Sequence, residues 1–106
     1  MLKIGNNIIV NTDDISDIKS VNTTKYVIIT CGLKLNSTIT ASSINDDGFT
    51  FCLQRTIFTI SGKTLSPQEF NVKWFKKPDD IFESLAYVTT MLLCDISPEV
   101  FNIIKF

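Results

Sequence analysis

The chain has 106 residues, enough for a single domain with one hydrophobic core, and this length excludes a multidomain protein or a repeat array. Hydrophobic residues at 44% and charged residues at 20% argue against intrinsic disorder. Ten basic and eleven acidic side chains leave a net charge of -1, so no whole-molecule field attracts nucleic acid or an anionic membrane.

The composition favours strands over helices. Ile, Val and Thr supply 33 of the 106 residues, whereas alanine occurs only at positions 41 and 86. We therefore predict an α+β domain spanning 1–106, an antiparallel sheet of about five to seven strands with a C-terminal helix packed on one face.

The first half of the chain reads as short strands separated by Asn and Asp turns. Strands are predicted at 2–4, 8–10, 16–21, 25–31 and 33–41. The unbroken apolar centre of 25–31 predicts a central strand buried on both faces. The alternation in 33–41 predicts a strand with one face in water.

Asp47-Gly48 is a hairpin signal between the strand at 33–41 and the strand that begins at Phe49. Alternation then places Phe49, Phe51 and Leu53 on one face. The apolar phase changes near residues 55–57, which predicts a bulge or a strand break there.

The C-terminal third changes to helical periodicity. Ser66-Pro67-Gln68-Glu69 predicts one helical turn, and Ser97-Pro98-Glu99 predicts a last short helical segment. The main helix is predicted from Ile81 to Cys94, with Asp80 and Glu83 as a capping box. The predicted core comprises Val27, Ile29, Phe51, Leu53, Leu85, Val88 and Leu92.

Catalytic chemistry has little support. The chain has no histidine, which removes Ser-His-Asp and Cys-His nucleophile activation and His-containing zinc sites. No Gly-rich phosphate loop occurs among four glycines. We predict a protein that is not an enzyme and uses no cofactor.

Three acidic groups could hold a divalent cation: Asp13-Asp14 with Asp17, Asp46-Asp47, and Asp79-Asp80 with Glu83. A polar turn, a hairpin loop and a helix N-terminus explain them more simply. No metal site is predicted.

Cys31, Cys52 and Cys94 lack metal-binding spacing, and each lies in an apolar stretch, so we expect free buried thiols. The apolar run Ile8-Ile9-Val10 is too short for a signal-peptide core. These features favour a cytoplasmic location.

The segment Lys73-Trp74-Phe75-Lys76-Lys77 is the one place where basic and aromatic residues concentrate. Lysines that neutralise phosphates beside a stacking aromatic ring are typical of single-strand binding. The alternative, which we favour, is a strand with an aromatic residue in the core and its lysines in water.

The predicted helix is apolar on most of its circumference, and Phe101, Ile103, Ile104 and Phe106 follow it. This is more apolar surface than one face of a small sheet covers, which predicts a homodimer. The alternative is a tail from Val100 to Phe106 that folds back across the sheet and buries the same side chains. We take Phe101, Ile104 and Phe106, with 73–77, as the candidate binding residues.

Together these features predict a small protein-binding module, a stoichiometric inhibitor or regulatory subunit. Nine lysines against one arginine indicate A- and T-rich coding DNA, as in a phage or mobile element. The alternative is a single-stranded nucleic-acid-binding protein that uses Lys73–Lys77.

Overall fold

The computed structural model describes residues 2–14 and 26–105. Its strands are β1 (Leu2–Ile4), β2 (Asn7–Asn11), β3 (Val27–Cys31), β4 (Ile39–Asn45), β5 (Gly48–Leu53), β6 (Ile57–Phe58), β7 (Thr64–Leu65) and β8 (Gln68–Lys73). The helix α1 covers Ile81–Leu93, and a 3₁₀ helix covers Pro98–Asn102. The predicted strand at 16–21 lies outside the described residues.

Six of these strands form one sheet in the order β1-β2-β3-β4-β5-β8, and β6 pairs with β7 in a separate hairpin. The α+β class and the strand number of the main sheet are confirmed, but the sheet is mixed rather than antiparallel. β2 runs parallel to β3, and β3 meets β4 in a parallel arrangement at the single pair Cys31 and Ile39. Residues 12–26 separate β2 from β3, which is length enough for the crossover of about a dozen residues that a fully paired parallel ladder requires. Only residues 32–38 separate β3 from β4, and these two strands share one pair, at the end of β3 and the start of β4.

The β4–β5 hairpin confirms the Asp47-Gly48 signal. Asn45 accepts hydrogen bonds through its side-chain oxygen from the amides of Asp47 and Gly48, at 2.8 and 3.2 Å. A Cβ at Gly48 would collide with the backbone carbonyl of Val72 in β8. Glycine at this position therefore lets β5 and β8 pair up to the turn.

The core lies between the sheet and α1. Six of the seven predicted core residues are buried in one cluster: Ile29, Phe51, Leu53, Leu85, Val88 and Leu92. Val27 is the exception, at 56% exposed, and it also contradicts the prediction that β3 is buried on both faces. Val27 begins β3 and pairs with Asn7, which begins β2, so it lies at the end of the ladder.

The helix begins and ends close to its predicted bounds. Asp80 caps it by accepting a hydrogen bond from the Phe82 amide at 2.9 Å, and Cys94 follows its last residue. Because Cys94 lies outside the packed face, its thiol is exposed, whereas Cys31 and Cys52 are buried as predicted. All three are free.

Two other local predictions are wrong. Gln68 and Glu69 belong to β8 rather than to a helical turn, because six residue pairs with β5 outweigh a local capping signal. Residues 33–38 form turns, and β4 begins only at Ile39. Ser37 and Thr38 are buried there, and their hydroxyl groups are satisfied by hydrogen bonds with Thr12 and Thr30.

Candidate functional site

Trp74 follows β8 and is fixed in the core. Its backbone amide donates to the Asp47 carbonyl at 3.2 Å, and its indole Nε1 donates to the Asp46 carbonyl at 2.9 Å. The Phe49 ring lies 5.1 Å away, centroid to centroid. With 5% of its surface exposed, the indole does not offer a face on which a nucleic-acid base could stack.

Phe75 has the opposite environment, because the alternation of β8 continues through it. Its side chain is 81% exposed, and Lys73, Lys76 and Lys77 are exposed around it. One aromatic residue of the predicted segment thus lies in the core and the other in water, with the lysines on the solvent side.

The C-terminal residues likewise include both buried and exposed side chains. Phe101 is fully buried, and its ring stacks on Phe70 at 5.3 Å, so this residue folds back onto the sheet. Ile104 is half-buried, and Phe106 lies outside the described residues. Ile103, in contrast, is 84% exposed.

The two predicted binding segments meet in space. Lys105 forms an isolated parallel bridge with Lys73, and its Nζ lies 5.9 Å from the centroid of the Phe75 ring. We define the aromatic edge as five exposed residues of the two segments that this junction joins: Phe75, Lys76, Lys77, Ile103 and Lys105. It combines two apolar side chains with three ammonium groups.

A cavity of about 500 Å³ opens beside the aromatic edge, between α1, the end of β8 and the C-terminal tail. Phe49, Val72, Trp74 and Val88 give it an apolar lining. Polar and charged groups reach it from Glu83, Ser84, Tyr87 and Lys105. The sequence did not predict this cavity: Glu83 was identifiable as part of a helix cap or an acidic group, and no pattern linked it with Ser84, Tyr87 and Lys105.

The buried thiols do not suggest a nucleophile. Burial raises the pKa of Cys31 to about 12, and its Sγ lies 3.8 Å from the Thr89 hydroxyl oxygen. A thiol with this pKa is protonated at neutral pH, and thiols in that form are unreactive. Cys31 therefore contributes packing rather than chemistry.

Asp95 forms a small polar cluster after α1. It accepts a hydrogen bond from the Ser61 hydroxyl at 2.7 Å, and Ser61 lies 3.1 Å from the Thr59 hydroxyl. Hydrogen bonds from Thr59 and Ser61 hold the pKa of Asp95 below its ordinary value, with a smaller contribution from the charge of Lys63. The cluster ties the β6–β7 hairpin to the end of the helix.

Over 2–14 and 26–105, no group of three His, Cys, Asp or Glu side chains is arranged to hold a metal ion. None of the helices in these ranges is long and apolar enough to cross a membrane. No family model matches the chain, and no significant match exists among the curated proteins or the solved structures compared with it.

Proposed function

We propose that this chain is a non-enzymatic protein-binding module that engages its partner through the aromatic edge. The observation that carries the proposal is the exposure of Phe75, directly after the buried Trp74, and of Ile103, two residues after the buried Phe101, on two segments that the Lys73–Lys105 bridge joins. Exposed apolar side chains on a rigid support are typical of contact surfaces, since they release water without costly reorganisation.

A stoichiometric inhibitor or regulatory subunit of a phage or mobile element, working in the cytoplasm, is the role that fits such a surface. The absence of histidine supports this role, because it leaves few groups that titrate near neutral pH and could serve as a catalytic base. Contact alone is sufficient for inhibition, since an inhibitor acts by covering another protein's surface.

The test is a quantitative capture experiment with a matched control. Immobilised chain is exposed to a lysate of its source, and retained protein is compared with that of Phe75→Ser/Ile103→Ser. The control, Val27→Ser/Phe58→Ser, removes similar exposed side chains from other parts of the surface. The proposal requires a partner that the edge variant loses and the control retains. Equal retention by both variants contradicts it.

Single-stranded nucleic acid is the second candidate, favoured by the exposure of Lys73, Lys76, Lys77 and Lys105 around Phe75. Labelled oligonucleotides are titrated at low and at high salt, because binding to phosphates weakens steeply as salt rises. Salt-sensitive binding that Lys73→Ala/Lys76→Ala/Lys77→Ala abolishes would favour this candidate over the protein-binding module.

The aromatic edge also supports self-association. Twofold symmetry brings the same surface of two copies together, so that the exposed Phe75 and Ile103 of one copy are covered by the aromatic edge of the other. Phe101 does not contribute to this contact, because it is buried within its own chain. We propose a homodimer formed through Phe75 and Ile103, in which the second copy takes the place of a different protein partner at the aromatic edge.

A further inference from the structure

We infer that the cavity beside the aromatic edge binds a small amphoteric aromatic molecule, of the class of the aromatic amino acids. This inference goes beyond the proposed protein contact and does not depend on it. It rests on the size of the cavity, on its aromatic lining and on the opposite charges that reach it from two different elements.

The cavity has the dimensions and the lining of a small-molecule site. Its volume of about 500 Å³ lies within the range of roughly 300–1,000 Å³ that is usual for ligand pockets. Phe49 and Trp74 form part of its lining as two buried rings inclined by 32°. These two rings are 3% and 5% exposed and form the rigid floor of the cavity. Its accessible ring surface comes from Phe75 and Tyr87, which also line it and are 81% and 56% exposed, so a flat hydrophobic ring can pack on them.

The charged groups lie on separate walls. Glu83 and Ser84 belong to the first turns of α1, whereas Lys105 belongs to the C-terminal tail. A carboxylate accepts hydrogen bonds from an ammonium group, and a lysine ammonium donates to a carboxylate. A ligand with one group of each kind can therefore satisfy both walls while its ring occupies the apolar lining.

Ligands of simpler chemistry fit less well. A neutral hydrophobic molecule would occupy the apolar lining but would gain nothing from the charges of Glu83 and Lys105. An anion without a donor group would satisfy Lys105 but would meet the negative charge of Glu83. A cation without an acceptor group would satisfy Glu83 but would meet the positive charge of Lys105.

Trp74 makes this inference testable without a label. It is the single tryptophan of the chain and lines the cavity, so its fluorescence reports on occupancy. The protein is titrated with L-phenylalanine, with phenylalanine amide, which lacks the carboxylate, and with N-acetylphenylalanine, which lacks the ammonium. We expect saturable binding, tightest for L-phenylalanine by about two- to fivefold, the effect of one partly exposed ion pair.

Two variants assign the charges. Glu83→Gln is expected to remove the advantage of L-phenylalanine over the N-acetyl compound, and Lys105→Gln its advantage over the amide. Lys34→Gln is the control, since Lys34 is an exposed lysine that does not line the cavity. Thermal melting of each variant checks that the fold is intact. The inference would be overturned if no saturable signal appeared or if the three compounds bound with equal affinity. It would also be overturned if both variants ranked the compounds as the wild type does.

Discussion

Lys105 pairs with Lys73 in a parallel bridge, so the C-terminal tail lies against the edge strand of the sheet. The pair joins two residues of like charge, which disfavours cross-strand pairing, so other contacts have to hold the tail in place. The buried Phe101 ring, stacked on Phe70, provides that contact. The aromatic edge thus depends on the packing of a residue that is not part of it.

Phe101→Ala is expected to lower the free energy of unfolding by about 3–5 kcal/mol, because it leaves a cavity beside Phe70 in a fully packed site. Urea denaturation followed by circular dichroism measures the change. The neighbouring variant Ile103→Ala should change stability by less than about 0.5 kcal/mol, since its side chain is exposed. Equal losses in the two variants would show that the tail does not pack as described.

Asp95 is expected to make stability fall in acid. Its pKa is lowered in the folded state, so its contribution is complete above the pKa of an unfolded Asp, about 3.9, and is lost as the pH falls through the lower folded value. The free energy of unfolding of the wild type and of Asp95→Asn is measured across this range. The difference between the two proteins should shrink as the pH falls, and a constant difference would contradict the assignment.

The cysteines should differ sharply in reactivity. Cys94 is exposed, whereas Cys31 is buried with its pKa raised to about 12. Iodoacetamide at neutral pH should modify Cys94 readily and leave Cys31 unmodified until the protein is unfolded. Mass spectrometry of peptides after a timed reaction measures both. Modification of Cys31 at the rate of Cys94 would mean that strand β3 is open to solvent.

The sequence predicted the positions of the helix and of most strands better than it predicted which strands pair. The β4–β5 hairpin and α1 could be found because Asp47-Gly48 and Asp80 act through local hydrogen bonds. The parallel pairing of β3 could not be predicted. The alternation of apolar and polar residues shows which face of a strand is buried, but it does not show which strand lies beside it. In residues 33–38 the pattern misled, since Leu33 and Leu35 are exposed while Ser37 is buried against Thr12.

The local part of the candidate site could be predicted from the sequence, but its long-range contacts could not. Phe75 and the neighbouring lysines are adjacent in sequence and form an evident cluster. Their meeting with Lys105, and the cavity that Glu83 completes, depend on the tertiary packing of three elements. Such a long-range arrangement leaves no periodic signal in a single sequence.

Self-association through the aromatic edge predicts a concentration-dependent mass. Light scattering at micromolar concentration should give the mass of two chains for the wild type and of one chain for Phe75→Ser/Ile103→Ser. The control variant Val27→Ser/Phe58→Ser should retain the dimer. A mass of one chain for the wild type at every concentration would refute the dimer and leave the edge free for another partner.

Site-specific photocrosslinking tests the role of the aromatic edge most directly. A photoreactive benzoylphenylalanine replaces Phe75 in one protein and Phe58 in another, because both side chains are exposed phenylalanines on different parts of the surface. After irradiation in a lysate of the source, position 75 should give a discrete protein adduct, either with a partner or with a second copy of the chain, that position 58 does not. The account would be contradicted by adducts of equal yield from both positions, by the absence of a protein adduct, or by an adduct of position 75 with nucleic acid.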